Sequence, residues 1–123
     1  MKPLIIALML AAAPLASASA QSIEGNWQRA DGGTRVKISS CGGAICAVNT
    51  WIKESDSSEK VGDRLVMNVK PQGPSKMAGK AFDERRNMNF AMEINVASPK
   101  QITTRGCVVG GIICKTVSWN KLN

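Results

Sequence analysis

Apolar and polar residues alternate along most of this chain with a period of two, which is the periodicity of a half-buried β-strand. In the clearest stretch, from Met88 to Val96, apolar residues occupy every second position, and mostly polar residues stand between them. Apolar residues at helical spacing are hard to find. The pattern therefore predicts an all-β protein.

Seven other segments have strand-like composition and are separated by turn residues such as Gly, Pro, Asn and Asp. The predicted strands are residues 25–29, 34–40, 45–53, 64–70, 76–82, 88–96, 101–108 and 112–122. Short connections favour antiparallel pairing of consecutive strands. Eight strands, each with one apolar face, predict an antiparallel up-and-down eight-stranded β-barrel that is wide enough for side chains or one small ligand.

The N-terminal residues 1–20 have the pattern of a secretion signal. Lys2 provides the positive charge, residues 4–15 are apolar, and Ala18-Ser19-Ala20 is a small-residue cleavage site. We therefore expect residues 1–20 to be a signal peptide and residues 21–123 to be a single β-barrel domain. This leader predicts a periplasmic or secreted protein, with no transmembrane segment after cleavage.

The cysteines occur as two close pairs, each around a Gly-Gly dipeptide. Export places them in an oxidising compartment, which favours disulfides over free thiols. In the first pair, a turn at Gly43 and Ala44 would set Cys41 opposite Cys46, within reach of a disulfide. This reasoning predicts a Cys41–Cys46 bridge across a hairpin.

In the second pair, a turn at Gly110 and Gly111 would set Cys107 opposite Cys114, which predicts a second bridge of the same kind. A four-cysteine zinc site is the alternative, but structural zinc sites prefer tighter cysteine spacing. A redox role is disfavoured because neither pair is Cys-x-x-Cys.

The charge balance is strongly basic, with a formal net charge of +7, of which one charge belongs to Lys2 in the predicted leader. A basic protein of the cell envelope attracts anionic polymers and lipid head groups, so an anionic envelope component is one predicted partner. Arg85-Arg86 is the only adjacent basic pair and falls in a turn-like stretch. Basic residues are not interleaved with aromatic ones, so no nucleic-acid partner is predicted.

Histidine and tyrosine are absent from the sequence. Their absence excludes Ser-His-Asp and Cys-His catalysis, histidine-ligated zinc and a histidine general base. No phosphate-binding loop or dinucleotide fingerprint occurs. We therefore expect a protein that is not an enzyme, and we assign no catalytic residue, cofactor or metal.

Carboxylates are the catalytic groups that remain. Glu54, Asp56 and Glu59 fall in one polar loop, where we expect them to be solvated, and calcium binding by Asp56 and Glu59 would lack the usual spaced ligands. Asp63, which follows Gly62 at the start of a strand, is the acid of most interest, with a turn role favoured over catalysis. A two-carboxylate glycosidase stays open by residue type, but no pattern places two acids together.

Methionine and phenylalanine are concentrated on the apolar faces of two predicted strands. Methionine fills irregular gaps in cores and also lines permissive apolar pockets. Core packing is the simpler interpretation, and a small ligand cavity in the barrel is the alternative. The residues predicted to line such a cavity are Met67, Met88, Phe90, Met92 and Ile94.

The first predicted strand begins with the Gly-x-Trp motif Gly25-Asn26-Trp27, which is also the signature of lipocalins and other calycins. The other motifs, in chain order, are Cys41-Gly42-Gly43-Ala44-Ile45-Cys46, Gly79-Lys80-Ala81-Phe82-Asp83, Arg105-Gly106-Cys107 and Thr116-Val117-Ser118-Trp119. From Ile23 to Leu122, the chain resembles a family of small exported bacterial proteins that is classed as a domain of unknown function and described as lipocalin-like.

The resemblance implies a lipocalin-like barrel in which Trp27 packs across the closed end. In calycins a late arginine stacks on this ring, and Lys121 could lie over it here through its aliphatic stem. Gly25, Trp27 and Lys121 are therefore assigned to barrel closure. The chain departs from the family pattern after Asp63, where no Asn-Pro follows, and at Ala47, where the family usually has glycine.

The leading functional hypothesis is a non-enzymatic lipocalin-like protein that binds a small apolar or amphipathic ligand. The alternative is an envelope interaction protein whose basic surface binds an anionic polymer or lipid. A third hypothesis is an inhibitor of a cell-wall hydrolase, although lysozymes are typically basic and would meet like charge.

Overall fold

Eight β-strands account for most of the chain in the computed structural model, which describes residues 23–54, 58–108 and 110–123. The strands are β1 Gly25–Arg29, β2 Thr34–Cys41, β3 Ala44–Ile52, β4 Arg64–Pro71, β5 Lys76–Asp83, β6 Met88–Ser98, β7 Gln101–Val108 and β8 Ile113–Lys121. Every predicted strand is confirmed, with ends that differ by at most two residues. The predicted signal peptide lies outside the described residues.

The strands form one closed barrel in which each strand pairs antiparallel with the next. The barrel closes where β8 pairs antiparallel with β1, with Trp27 opposite Lys121 and Arg29 opposite Trp119. This arrangement confirms the predicted antiparallel up-and-down eight-stranded β-barrel. In the described ranges, no helix has the length and apolar character needed to cross a membrane.

The sequence alternation places one face of each strand inside the barrel. In β2, for example, Val36 and Ile38 are buried while Arg35 and Lys37 are exposed to solvent. The large side chains that are almost completely buried are Ile23, Trp27, Met67, Met77, Ile94 and Ile102. Burial of this apolar face is the main source of the barrel's stability.

The two ends of the barrel differ, and one of them is filled around Trp27. This side chain is 0% exposed, and its indole Nε1 donates a hydrogen bond of 2.8 Å to the carbonyl oxygen of Ile23. The Lys121 ammonium lies 5.6 Å from the centre of the Trp27 ring. A Cβ atom at Gly25 would lie 2.9 Å from Lys121 Cε and 2.7 Å from the Asn123 carbonyl oxygen, so only glycine fits.

Both predicted disulfides are present. Cys41 is bonded to Cys46, with their Cα atoms 5.8 Å apart, and Cys107 is bonded to Cys114, with their Cα atoms 4.1 Å apart. The first bridge lies at the filled end of the barrel, where β2 ends and β3 begins. The second lies at the opposite end, and there the predicted pairing of Cys107 opposite Cys114 is confirmed.

The predicted register of the first hairpin is wrong. The turn residues are Gly42 and Gly43, with φ values of 59° and 85°, so Cys41 pairs with Ala44 and Cys46 with Ser39. A two-residue turn with two positive φ angles matches the twist of the flanking strands. Two adjacent glycines supply both angles without steric cost, which favours this turn over one at Gly43 and Ala44.

Candidate functional site

The barrel contains a cavity of about 230 Å³ that opens at the end opposite Trp27. This volume corresponds to roughly eight molecules of liquid water at about 30 Å³ each. Most of the wall is apolar and comes from inward positions of β2, β4, β6 and β7, including Val36, Leu65, Met92, Ile94 and Ile102. The interior is therefore a pocket with an apolar floor rather than a fully packed core.

Four of the five residues proposed for the cavity wall lie there, namely Met67, Phe90, Met92 and Ile94. Met67 and Ile94 are almost fully buried, whereas Phe90 is partly accessible. The expectation for Met88 has to be corrected, because its side chain is 40% exposed and is not one of those that line the cavity. It is the first residue of β6, at the open end of the barrel, where the neighbouring strands no longer enclose its side chain.

Charged residues from two loops surround the opening. Arg86, in the β5–β6 turn, donates from Nη1 to Asp83 Oδ2 at 2.7 Å and from Nη2 to Glu59 Oε2 at 3.1 Å. Arg85 donates from Nε to Asp63 Oδ2 at 2.8 Å. Both guanidinium groups also donate to the carbonyl oxygen of Ser58. We call Glu59, Asp63, Asp83, Arg85 and Arg86 the mouth network.

The mouth network is anchored to the barrel wall through Asn49, a buried residue of β3. Its side-chain Nδ2 donates to Glu59 Oε1 at 2.9 Å and to the carbonyl oxygen of Lys60 at 3.1 Å. Asp63 Oδ2 also accepts a hydrogen bond of 3.0 Å from the Lys60 N–H. The expectation that Glu59 is solvated is therefore corrected, whereas Glu54 is exposed as expected and Asp56 lies outside the described residues.

The ion pairs of the mouth network stabilise its charged forms. Burial alone would raise the pKa of Asp63, but hydrogen bonds from Arg85 and the Lys60 N–H, together with the charges of Arg85 and Arg86, lower it below its usual value. The hydrogen bond to Asp83 is the main reason that the pKa of Arg86 is raised, against an opposing effect of burial. Asp63 and Arg86 therefore stay charged at neutral pH, where neither is suited to proton transfer.

A second polar group of residues lines the cavity below the network. Trp119 Nε1 donates a hydrogen bond of 3.0 Å to Thr104 Oγ1, which satisfies both groups. Thr34 is 2% exposed, and its Oγ1 is buried without a hydrogen-bond partner in the described part of the chain. Leaving a buried hydroxyl unsatisfied costs about 1–3 kcal/mol, so Thr34 is an unusual feature of this wall.

Two further basic residues, Arg29 and Lys115, lie at the opening. Arg29 Nε donates to Asp31 Oδ1 at 2.7 Å, and this hydrogen bond is the main reason that the pKa of Asp31 is lowered. Its guanidinium lies against Gly33, where a Cβ atom would overlap it. Lys115 projects from β8 into the same opening.

The sequence analysis did not identify Thr34, Arg29 or Lys115 as candidate site residues. Thr34 occupies the inward position that precedes Val36 and Ile38, so extending the alternation of β2 by one step could have found it. Arg29 and Lys115 gave no comparable signal. Charged residues at strand ends are usually solvated, and only the closed barrel brings these two to one opening.

Eight antiparallel strands closed around an accessible cavity define a small up-and-down β-barrel protein. Residues 25–121 match the family described as uncharacterized proteins conserved in bacteria (DUF2147), and the chain belongs to that family. A redesigned β-barrel of known structure is similar to the chain, with a TM-score of 0.56 and 16% sequence identity over 85% of this chain and 96% of that one. At this identity the similarity concerns the fold alone. No curated protein matches the chain.

Proposed function

We propose that this protein is a non-enzymatic, lipocalin-like protein of the periplasm or the extracellular space that binds one small apolar or amphipathic molecule in its barrel. The observation that carries the proposal is the cavity of about 230 Å³, with its apolar wall and its opening at the end opposite Trp27. The two disulfides fit an oxidising compartment outside the cytoplasm.

Binding is favoured over catalysis by the chemistry at the opening. The carboxylates of Asp63 and Asp83 accept hydrogen bonds from Arg85 and Arg86, so they are engaged as structural ion pairs. The sequence also lacks histidine, which is the commonest general base. These features favour a protein that binds a small molecule without changing it chemically.

The size of the cavity limits the ligand. Pockets for drug-sized molecules are usually about 300–1,000 Å³, so a cavity of about 230 Å³ suits a smaller molecule. The space of roughly eight waters corresponds to about eight non-hydrogen atoms. A straight chain of six to eight carbons would fill the barrel, and a longer chain would extend through the opening.

The proposal is tested by measuring the binding of octan-1-ol and octanoate by isothermal titration calorimetry. Ala47 faces the cavity, so Ala47→Phe should fill it and weaken binding at least tenfold. Ala91 faces outward on β6 and is exposed, so Ala91→Phe is the matched control and should bind like the natural protein. The proposal fails if neither compound binds, or if Ala47→Phe binds both compounds with unchanged affinity.

The second candidate is an envelope interaction protein that binds an anionic lipid or polymer. It is favoured by the net charge, which is +7 − 1 = +6 once Lys2 of the predicted leader is left out, and by two exposed apolar residues at the β7–β8 hairpin, Ile112 and Ile113, which are 80% and 59% exposed. Co-sedimentation with anionic vesicles should then weaken steeply as salt is raised, because surface charges are screened. Binding that does not depend on salt would count against it.

A further inference from the structure

The unsatisfied hydroxyl of Thr34 indicates which part of a ligand would contact the cavity wall. Thr34 is the first residue of β2, lines the cavity and is 2% exposed. Its Oγ1 has no partner among the residues that the structure describes. Buried hydroxyls in native proteins are nearly always hydrogen-bonded. Because Thr34 lines the cavity, a rotation of its side chain about χ1 would present the hydroxyl to a ligand there.

The nearby polar groups do not supply that partner. The indole N–H of Trp119 is engaged with Thr104, and the side-chain amide of Asn49 is engaged with Glu59 and the Lys60 carbonyl. An oxygen atom of a ligand is the natural complement, since a threonine hydroxyl donates one hydrogen bond.

The position of Lys115 indicates that the ligand carries a negative charge. Its side chain lines the opening, and in residues 23–54, 58–108 and 110–123 it forms no ion pair or hydrogen bond. Its charge acts on Asp31, but that carboxylate accepts its hydrogen bonds from Arg29 and the Gly33 N–H. The mouth carboxylates are already paired with Arg85 and Arg86. A lysine that forms neither an ion pair nor a hydrogen bond at a partly enclosed opening attracts an anion.

We propose that the ligand is a medium-chain carboxylate whose head group is bound at the opening by Thr34 and Lys115. The Thr34 hydroxyl donates to a carboxylate oxygen, and Lys115 supplies the compensating charge. The alkyl chain then lies along the apolar wall, towards Met92 and Ile94. This inference rests on the proposed function and adds the chemical class of the ligand.

The test compares octanoate with octan-1-ol, which have the same chain length and differ in the charge of the head group. We expect the natural protein to bind octanoate at least tenfold more tightly than the alcohol. Lys115→Met should abolish this preference while leaving the affinity for octan-1-ol unchanged. Lys80→Met is the control, because Lys80 is exposed on the outer face of β5, and it should keep the preference.

Thr34→Val separates ligand recognition from folding. The substitution removes the unsatisfied hydroxyl while keeping the shape of the side chain, so the melting temperature without ligand should stay equal or rise. The increase in melting temperature caused by octanoate should nevertheless shrink, with about tenfold weaker binding. A lower melting temperature without ligand, together with unchanged octanoate affinity, would contradict the assigned role of Thr34.

The outcomes distinguish this inference from the function on which it rests. If both compounds bind equally, the barrel is a binding protein without a carboxylate site, and the inference fails alone. If octanoate is preferred but the preference survives in both Lys115→Met and Thr34→Val, the assigned head-group site is wrong. If neither compound binds, both the function and the inference fail.

Discussion

The three tryptophans illustrate how the environment of a residue determines its role. Trp27 and Trp119 face inward, and each indole N–H finds an acceptor, the Ile23 carbonyl for the first and Thr104 Oγ1 for the second. Trp51 is 40% exposed, with the Arg35 guanidinium 4.9 Å from its ring centre. Tryptophan therefore packs towards the interior at positions 27 and 119, whereas at position 51 it contacts a cation at the surface.

Trp27→Ala should destabilise the barrel by about 3–5 kcal/mol, because it removes a fully buried aromatic side chain and leaves a cavity at the filled end. Trp51→Ala is the matched control, and it should cost clearly less, because this ring is 40% exposed and contacts the Arg35 guanidinium at the surface. Urea unfolding followed by circular dichroism measures both values. Similar losses for the two variants would contradict the assigned role of Trp27.

Asp63 should make the stability of the protein depend on pH in the acidic range. The pKa of Asp63 is lowered in the folded state. Its contribution to the free energy of unfolding is therefore fully present above the pKa of the unfolded state, which is about 4, and is lost as the pH falls through the folded-state pKa. Asp63→Asn should be less stable at pH 7 and should lose less stability between about pH 5 and pH 2.

The control for this pH dependence is Glu54→Gln, which changes an exposed carboxylate. Thermal unfolding measured across the acidic range should give this variant the same slope as the natural protein. If Asp63→Asn also kept the natural slope, the ion pair with Arg85 would not be a source of acid sensitivity.

Some of these residue roles could be predicted from the sequence, and others could not. Met92 and Ile94 lie in a regular alternating segment, where local periodicity predicts which side faces inward. The packing of Trp27 across the closed end was implied by the family resemblance instead. The environment of Glu59 could not be predicted in this way, because its partner Arg86 is 27 residues away in the sequence. Contacts between distant loops depend on how the barrel closes, and no local pattern encodes them.

At the scale of elements, the strands were predictable while one of the turns was not. Strand positions can be predicted from the alternation of apolar and polar residues, and an error of one or two residues at the end of a strand does not change that alternation. The register of the β2–β3 hairpin depends instead on which two residues form the turn. The sequence allowed a turn at Gly42 and Gly43 as well as one at Gly43 and Ala44. A shift of one residue in a turn changes every cross-strand pair without changing the strand prediction.

Gly79 and Gly106 both lie in strands, and they should differ in their tolerance of a side chain. A Cβ atom at Gly79 would overlap the Asn68 carbonyl oxygen and lie 2.9 Å from Val69 Cα, both in the backbone of β4. A Cβ atom at Gly106 would come too close to the Phe90 ring, with Cε2 at 2.9 Å, and would lie at an ordinary contact distance of 3.9 Å from the Ala91 carbonyl oxygen. The backbone of a paired strand yields less readily than a side chain, which can rotate.

Gly79→Ala should therefore destabilise the protein by about 1–3 kcal/mol, as overpacking does in other cores. Gly106→Ala should cost less than about 1 kcal/mol, since a small movement of Phe90 relieves the contact. Chemical denaturation of the two variants measures the difference. A larger loss for Gly106→Ala would mean that Phe90 is more rigidly packed than the backbone of β4.

At the scale of the whole molecule, the seam between β1 and β8 completes the barrel. This seam has three residue pairs in register, whereas β2 and β3 have eight. Three backbone hydrogen bonds extend it, from Ala30 N to Ser118 O at 2.8 Å, from Leu122 N to Asn26 O at 2.7 Å and from Asn26 N to Asn123 O at 3.2 Å. Closure removes the free strand edges on which sheets aggregate, so a short seam protects the whole barrel.

The seam should be the first part of the barrel to open. We expect backbone amides of β1 and β8 to exchange with deuterium before those of β5 and β6, which have eight residue pairs in register. Truncation before Leu122 removes two of the extending hydrogen bonds and should accelerate exchange at the seam alone. Uniform protection in nuclear magnetic resonance exchange experiments would indicate that the barrel opens only by global unfolding.

The seam also determines the order in which the barrel can form. Each internal hairpin joins neighbouring strands, and the disulfides, which bridge residues 5 and 7 positions apart, lie within two of these hairpins. Such local pairs can form early in folding. Barrel closure needs both ends of the chain, because β1 and β8 are its first and last strands. Until the barrel closes, β1 and β8 each keep an unpaired edge on which chains can aggregate.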